Sequence, residues 1–133
     1  MQKITFIFAA LTLLCCASSV AQSVTYYVYG SVYDSNTKTN HYTNIFPVNV
    51  GMKDDGAYHL TANGNLAANR LKQSFRSYIY RSTKSSYLAP GGFYHATRTE
   101  AQRERDYKMD RDVRGGGRAT IATYFSFYFN KDE

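Results

Sequence analysis

The chain has 133 residues, with 16 Lys+Arg against 10 Asp+Glu. Lys3 followed by an apolar run from Ile4 to Ala17 and a small-x-small step at Ser19-Val20-Ala21 is the pattern of a secretory signal peptide over residues 1–21. The remaining 112 residues, from Gln22, carry a net +5 and make one domain's worth of chain, which excludes two-domain enzymes, Rossmann-type cofactor folds and polytopic membrane proteins.

Both cysteines, Cys15 and Cys16, fall inside the leader. The exported chain therefore has no disulfide, no thiolate metal site and no catalytic thiol. Leu14 stands before Cys15 where a lipidation signal wants a small residue, so ordinary cleavage is expected. No later stretch approaches the ~18 consecutive apolar residues of a membrane span. The reading is a soluble product, periplasmic or extracellular. Its apolar set is unusual, because 13 tyrosines match the 13 Ile, Leu and Val residues that follow the leader. A core rich in rings leaves some phenolic tips at the surface, where Tyr serves recognition well.

In chain order, Val24 to Tyr33 is dense in β-branched and aromatic residues and predicts a strand. Val24, Tyr26, Val28 and Val32 lie on one face, and Tyr27, Tyr29 and Tyr33 on the other. A polar turn, Asp34 to Asn40, leads to a second strand over His41 to Val50 that completes a hairpin. Pro47 within it has no N–H to donate, which implies an edge position or a bulge. After a break at Lys53-Asp54-Asp55-Gly56 comes a short extended piece, Tyr58 to Thr61. Asn63 or Asn65 then caps a helix from Leu66 to about Arg81, whose stripe Ala67, Leu71, Phe75, Tyr78 and Ile79 faces a core. Pro90-Gly91-Gly92 divides Tyr87 to Ala96 into two short extended pieces. Thr97 and Glu100 match a capping box, opening a polar surface helix to Arg114 that is held by pairs such as Glu104 with Lys108. Gly115-Gly116-Gly117 stops that helix. Gly117-Arg118 lacks the Lys-Ser/Thr and following helix of a phosphate loop. The final strand, Arg118 to Phe129, turns Ala119, Ile121, Phe125, Phe127 and Phe129 inward and Thr120, Tyr124, Ser126 and Tyr128 outward.

The expected assembly is a single α+β domain over 22–133. Its order is β-β-α-β-α-β, with a mainly antiparallel four-stranded sheet and both helices on one face. The other sheet face would present Tyr27, Tyr29, Tyr124 and Tyr128 to solvent or a partner.

Two functional readings follow. No acidic residue occurs between Asp55 and Glu100, while Arg70, Arg76 and Arg81 stud the first helix. A basic helix face and a Tyr-rich sheet face suit a non-enzymatic exported protein that binds another protein or an anionic envelope component. No nucleic-acid motif accompanies the charge, and export argues against a genomic partner. The alternative is a small basic hydrolase acting on a phosphodiester, as ribonucleases do, with His59, His95, Arg98 and Glu100 as base, acid and phosphate-binding cation. His41, His59 and His95 lack metal-ligand spacing, and no cofactor motif is present, so neither metal nor cofactor is expected.

Overall fold

The structure is a computed structural model. It describes residues 23–51 and 57–132, and only the backbone of 57–60. The leader and the Lys53–Gly56 break lie outside the described residues. The elements are β1 (Thr25–Asp34), β2 (Thr39–Tyr42), β3 (Phe46–Asn49), α1 (Ala57–Thr83), β4 (Leu88–His95), α2 (Arg98–Arg114) and β5 (Arg118–Ile121). They build an α+β domain on one mixed sheet of five strands.

β1 organises the sheet. Eight of its ten residues pair antiparallel with β4, from Tyr27↔His95 to Asp34↔Leu88. Along its opposite edge β3 takes Thr25 to Val28 and β2 takes Ser31 to Asp34, both antiparallel. β5 pairs parallel with β2, Thr39↔Arg118 to Tyr42↔Ile121. The sheet thus has five strands and a parallel pair where four mainly antiparallel strands were expected. The extra strand arises because His41–Val50 is interrupted at Thr43 to Ile45, not at Pro47. There the buried Thr43 hydroxyl accepts from the Gly30 N–H at 2.9 Å, and the Thr43 N–H donates to the Gly30 carbonyl at 3.0 Å.

The helices lie on opposite faces, which corrects the one-face arrangement. Alternate residues of β1 point to two cores. Val28 and Val32 join Ala67, Leu71, Phe75 and Ile79 beneath α1. Tyr29 joins Tyr42, Ile45 and Ala101 beneath α2. A strand apolar on both faces is satisfied only when both faces are covered.

Two expected breaks are contact points instead. α1 starts at Ala57 and runs through Tyr58–Thr61 and Asn63-Gly64-Asn65, so neither asparagine is a cap. Gly64 is buried, and a Cβ there would come within 2.8 Å of the Tyr94 ring. Pro90-Gly91-Gly92 lies inside a continuous β4, an edge strand that tolerates the missing N–H of Pro90. A Cβ on Gly92 would overlap the Ala68 carbonyl oxygen and sit 2.9 Å from its carbon. Glycine is what lets the helix backbone rest on the strand.

α2 follows the sequence reading. The Thr97 hydroxyl accepts from the Glu100 N–H at 3.2 Å, and the helix stops at Gly115, with Gly116 in the left-handed region at φ 82°. The C-terminal strand is shorter than expected. β5 ends at Ile121, a turn at Thr123–Tyr124 takes the chain to the α1 side, and Phe125 and Phe129 close that core. The inward phenylalanines and outward Tyr124, Ser126 and Tyr128 alternate as anticipated, but outside the sheet.

Replacing Gly92 with Ala should cost roughly 2–3 kcal/mol or more, because helix backbone cannot yield as a flexible side chain would. Urea unfolding measures it. A variant as stable as the parent would show that α1 and β4 are not held this close.

Candidate functional site

Among the described residues, two open concavities hold side chains singled out from the sequence, and a third, of about 390 Å³, lies at the glycine stop beside Lys38, Arg111 and Asp112. The first lies between β4 and α2. His95, at the end of β4, turns toward α2 with its ring parallel to that of Tyr29, 6.3 Å between centroids and 4° between planes. Phe93 stacks on Tyr29 at 4.9 Å. From α2, Glu100, Arg103, Glu104 and Tyr107 complete a cleft of about 560 Å³. Their spacing of three, one and three places them on one helix face.

Glu104 is the hub. One carboxylate oxygen accepts from Lys108 Nζ at 2.9 Å and the other is paired with His95 Nε2. Burial pushes the carboxyl upward, but the hydrogen bonds from Lys108 and His95 outweigh it and hold Glu104 below the usual carboxylate range. Lys108 also sits 3.1 Å above the Phe93 ring centroid. Beneath them the Tyr29 hydroxyl is buried without a hydrogen bond among the described residues. It lies near enough to Glu104 to be perturbed but lacks bonding geometry. Desolvation, then the Glu104 charge, drive the phenol well above its ordinary value.

The second concavity, about 500 Å³, runs between α1 and the segment after β5. Asn69, Arg70, Gln73 and Ser74 form one wall, and Phe127, Tyr128 and Asn130 the other. Arg70 Nη1 donates to the Asn130 carbonyl, and its guanidinium lies 5.4 Å above the Phe129 ring. Phe129 is buried while its neighbour Tyr128 is 84% exposed.

The residues singled out from sequence are redistributed. Tyr29 is 0% exposed and Tyr27 half-buried, both on the α2 side of the sheet, so the Tyr-rich open face does not exist. Tyr124 stands 91% exposed at the turn. Arg70 and Tyr128 share the second groove. Arg76 and Arg81 are exposed farther along α1, outside the groove. Of the hydrolase set, His95 and Glu100 share the first cleft. Arg98 opens α2 but does not line it. His59 belongs to α1, the helix on the opposite face, and not to a strand; its side chain lies outside the described residues. The cleft's own cation is Arg103, which, with Glu104 and Tyr107, the sequence reading missed although the helical spacing from Glu100 marks all three. Asn69 and Gln73, four apart on α1, were equally open to that argument.

The glycine run is a helix stop. The N–H groups of Gly115, Gly116 and Gly117 donate to Arg111, Val113 and Asp112 carbonyls, leaving none for an anion. Among the described residues, no group of three or more His, Cys, Asp or Glu is placed to hold a metal ion, and no helix is long and apolar enough to cross a membrane. No family model, curated protein or solved structure matches the chain.

Because Glu104 is held low in the folded state, its contribution is present above the unfolded value of ~4.3 and fades as pH falls through the folded one. Replacing Glu104 with Gln should cost on the order of 1 kcal/mol at pH 7, a figure that allows for its partial exposure. The difference from the parent should shrink on acidification toward pH 3. Urea midpoints across that range check it, and a gap independent of pH would assign the loss to packing.

Proposed function

We propose that this chain is an exported, non-enzymatic binding protein of the cell envelope or secreted fraction, with the groove between α1 and Phe127–Asn130 as its ligand surface. The leader pattern at residues 1–21 supports export. One observation carries the binding surface: Tyr128, a large ring left in water, is held there by a buried neighbour. Phe129 anchors one side of it under the Arg70 guanidinium, and Phe125 is packed among Phe46, Phe75 and Tyr78 four residues earlier. A ring presented on a pinned backbone offers contact area at little entropic cost on binding.

The test is a cross-linked pull-down from the native envelope fraction with the parent, Tyr128→Ala and Tyr124→Ala. Capture should fall at least tenfold for Tyr128→Ala and persist for Tyr124→Ala, which lies outside the groove. Undiminished capture by Tyr128→Ala would remove the groove from consideration.

The cleft at His95 favours a second reading, a phosphodiester hydrolase in which Glu104 orients the imidazole and Arg103 meets the phosphate. Against it, both Glu104 oxygens and the His95 Nε2 are already engaged with one another and with Lys108. That pattern fits a tie between α2 and β4 better than a poised base. Purified protein should leave RNA and simple phosphodiesters intact. Cleavage that His95→Ala abolishes would reverse the order of the two readings.

A further inference from the structure

Resting on the binding reading, the chemistry of the same groove narrows its ligand. Apart from the two rings, its walls carry three carboxamides (Asn69, Gln73, Asn130), one hydroxyl (Ser74), one guanidinium (Arg70) and no carboxylate. Among the described residues, the side chains of Gln73 and Ser74 make no hydrogen bond within the protein, both lying on the exposed side of α1. Asn130 Oδ1 accepts from the Asp132 N–H at 3.2 Å, which leaves its amide nitrogen as a donor. Each carboxamide sets a donor beside an acceptor, and Asn69 spends one of its two amide hydrogens on Asn65 Oδ1 at 3.5 Å.

We propose that the groove binds a glycan, a pyranose ring stacking its apolar C–H face on Tyr128 while the α1 carboxamides and Ser74 bond its hydroxyls. A pyranose has one apolar face and a rim of hydroxyls that each donate and accept. It therefore matches an exposed aromatic platform flanked by paired donors and acceptors. A groove of about 500 Å³ lies within the usual small-ligand range of ~300–1,000 Å³.

Competing ligands fit less well. A nucleic-acid strand needs several cations on successive phosphates, whereas the groove is lined by one, and Arg70 already bonds Asn130 and covers Phe129. A protein partner draws its affinity from a desolvated apolar centre. Here Phe129 is covered by Arg70, and polar side chains line the α1 wall.

The experiment uses protein purified after export and retention on insoluble polysaccharides. Chitin and peptidoglycan sacculi supply acetamido sugars, and cellulose supplies a neutral glucan. The parent should be retained on at least one polymer, undiminished at 1 M NaCl, because stacking and amide contacts are not screened as ion pairs are. Tyr128→Ala should weaken retention about tenfold, Gln73→Ala several-fold, and Tyr124→Ala not at all. Unchanged far-UV circular dichroism and thermal midpoint would show that Tyr128→Ala, a change at an exposed side chain, still folds.

Retention on chitin and sacculi alone assigns acetamido sugars, and on cellulose alone a glucan; both support the proposal. It is overturned if no polymer retains the parent, if Tyr128→Ala is retained equally, or if 1 M salt releases the protein. Loss at high salt would give the binding to the exposed arginines of α1. Absent glycan retention beside Tyr128-dependent capture of an envelope protein would sink the glycan and leave the binding reading standing. If neither depends on Tyr128, both fall.

Discussion

Everything in this domain hangs on β1 being buried on both faces and paired on both edges. Val28, Tyr29 and Val32 are fully buried, and side chains of that size are each worth about 1.5–3 kcal/mol when removed from water. They point alternately to two cores, so neither helix can be lost without exposing part of the strand. The strand's end is pinned as firmly. Buried Asp34 accepts from Ser85 Oγ at 2.6 Å, Asn36 N at 2.9 Å and Thr37 Oγ1 at 3.1 Å. The Ser85 hydroxyl and then the turn residues hold its carboxyl below the usual range, against the opposing effect of burial. One carboxylate thereby joins the β1–β2 turn to the exit from α1.

α2 shows how a helix with little apolar surface can still cover a core. Only Ala101 of its residues is buried outright. Met109 packs beside it, and the remaining contacts are polar: Glu104 to His95, Arg105 to the Thr43 carbonyl, Tyr42 to Asp112, and Lys108 over Phe93. Tyrosines make this possible, since a buried phenol offers both ring area and a polar tip. Tyr42 uses that tip on Asp112, whereas Tyr29, deeper in the same cluster, has no bond for its own among the described residues.

Much of the local structure was legible in the sequence, because it is decided locally. The stripe Ala67, Leu71, Phe75 and Ile79, the Thr97 cap and the glycine stop after Arg114 all depend on residues within a few positions. What escaped was tertiary. Asn63-Gly64-Asn65 and Pro90-Gly91-Gly92 carry the chemistry of turns, yet Gly64 makes room for Tyr94 and Gly92 for Ala68 at a single helix–strand contact. No local rule distinguishes a glycine that bends the chain from one that lets another backbone in. The same limit governed the site. Arg70 and Tyr128 each stood out alone, but they were assigned to different surfaces, because nothing before Thr123 announces that the chain leaves the sheet and crosses to α1. The α2 cleft was partly legible, through His95 and Glu100.

The parallel pairing of β5 with β2 also constrains how the domain can assemble. His41 and Thr120, register partners joined side chain to side chain, are 79 residues apart. The β1–β2 hairpin closes over a short polar turn. Closing a long loop loses more chain entropy than closing a short one, and contacts of high sequence separation slow folding. Only the hairpin and α1 are local, whereas the β1–β4 pairing, from Asp34↔Leu88 to Tyr27↔His95, and the β2–β5 pairing both close long loops at similar entropic cost. The groove proposed for binding is likewise built from distant parts of the chain, with Arg70 and Asn130 60 residues apart, so its shape depends on the whole domain being assembled.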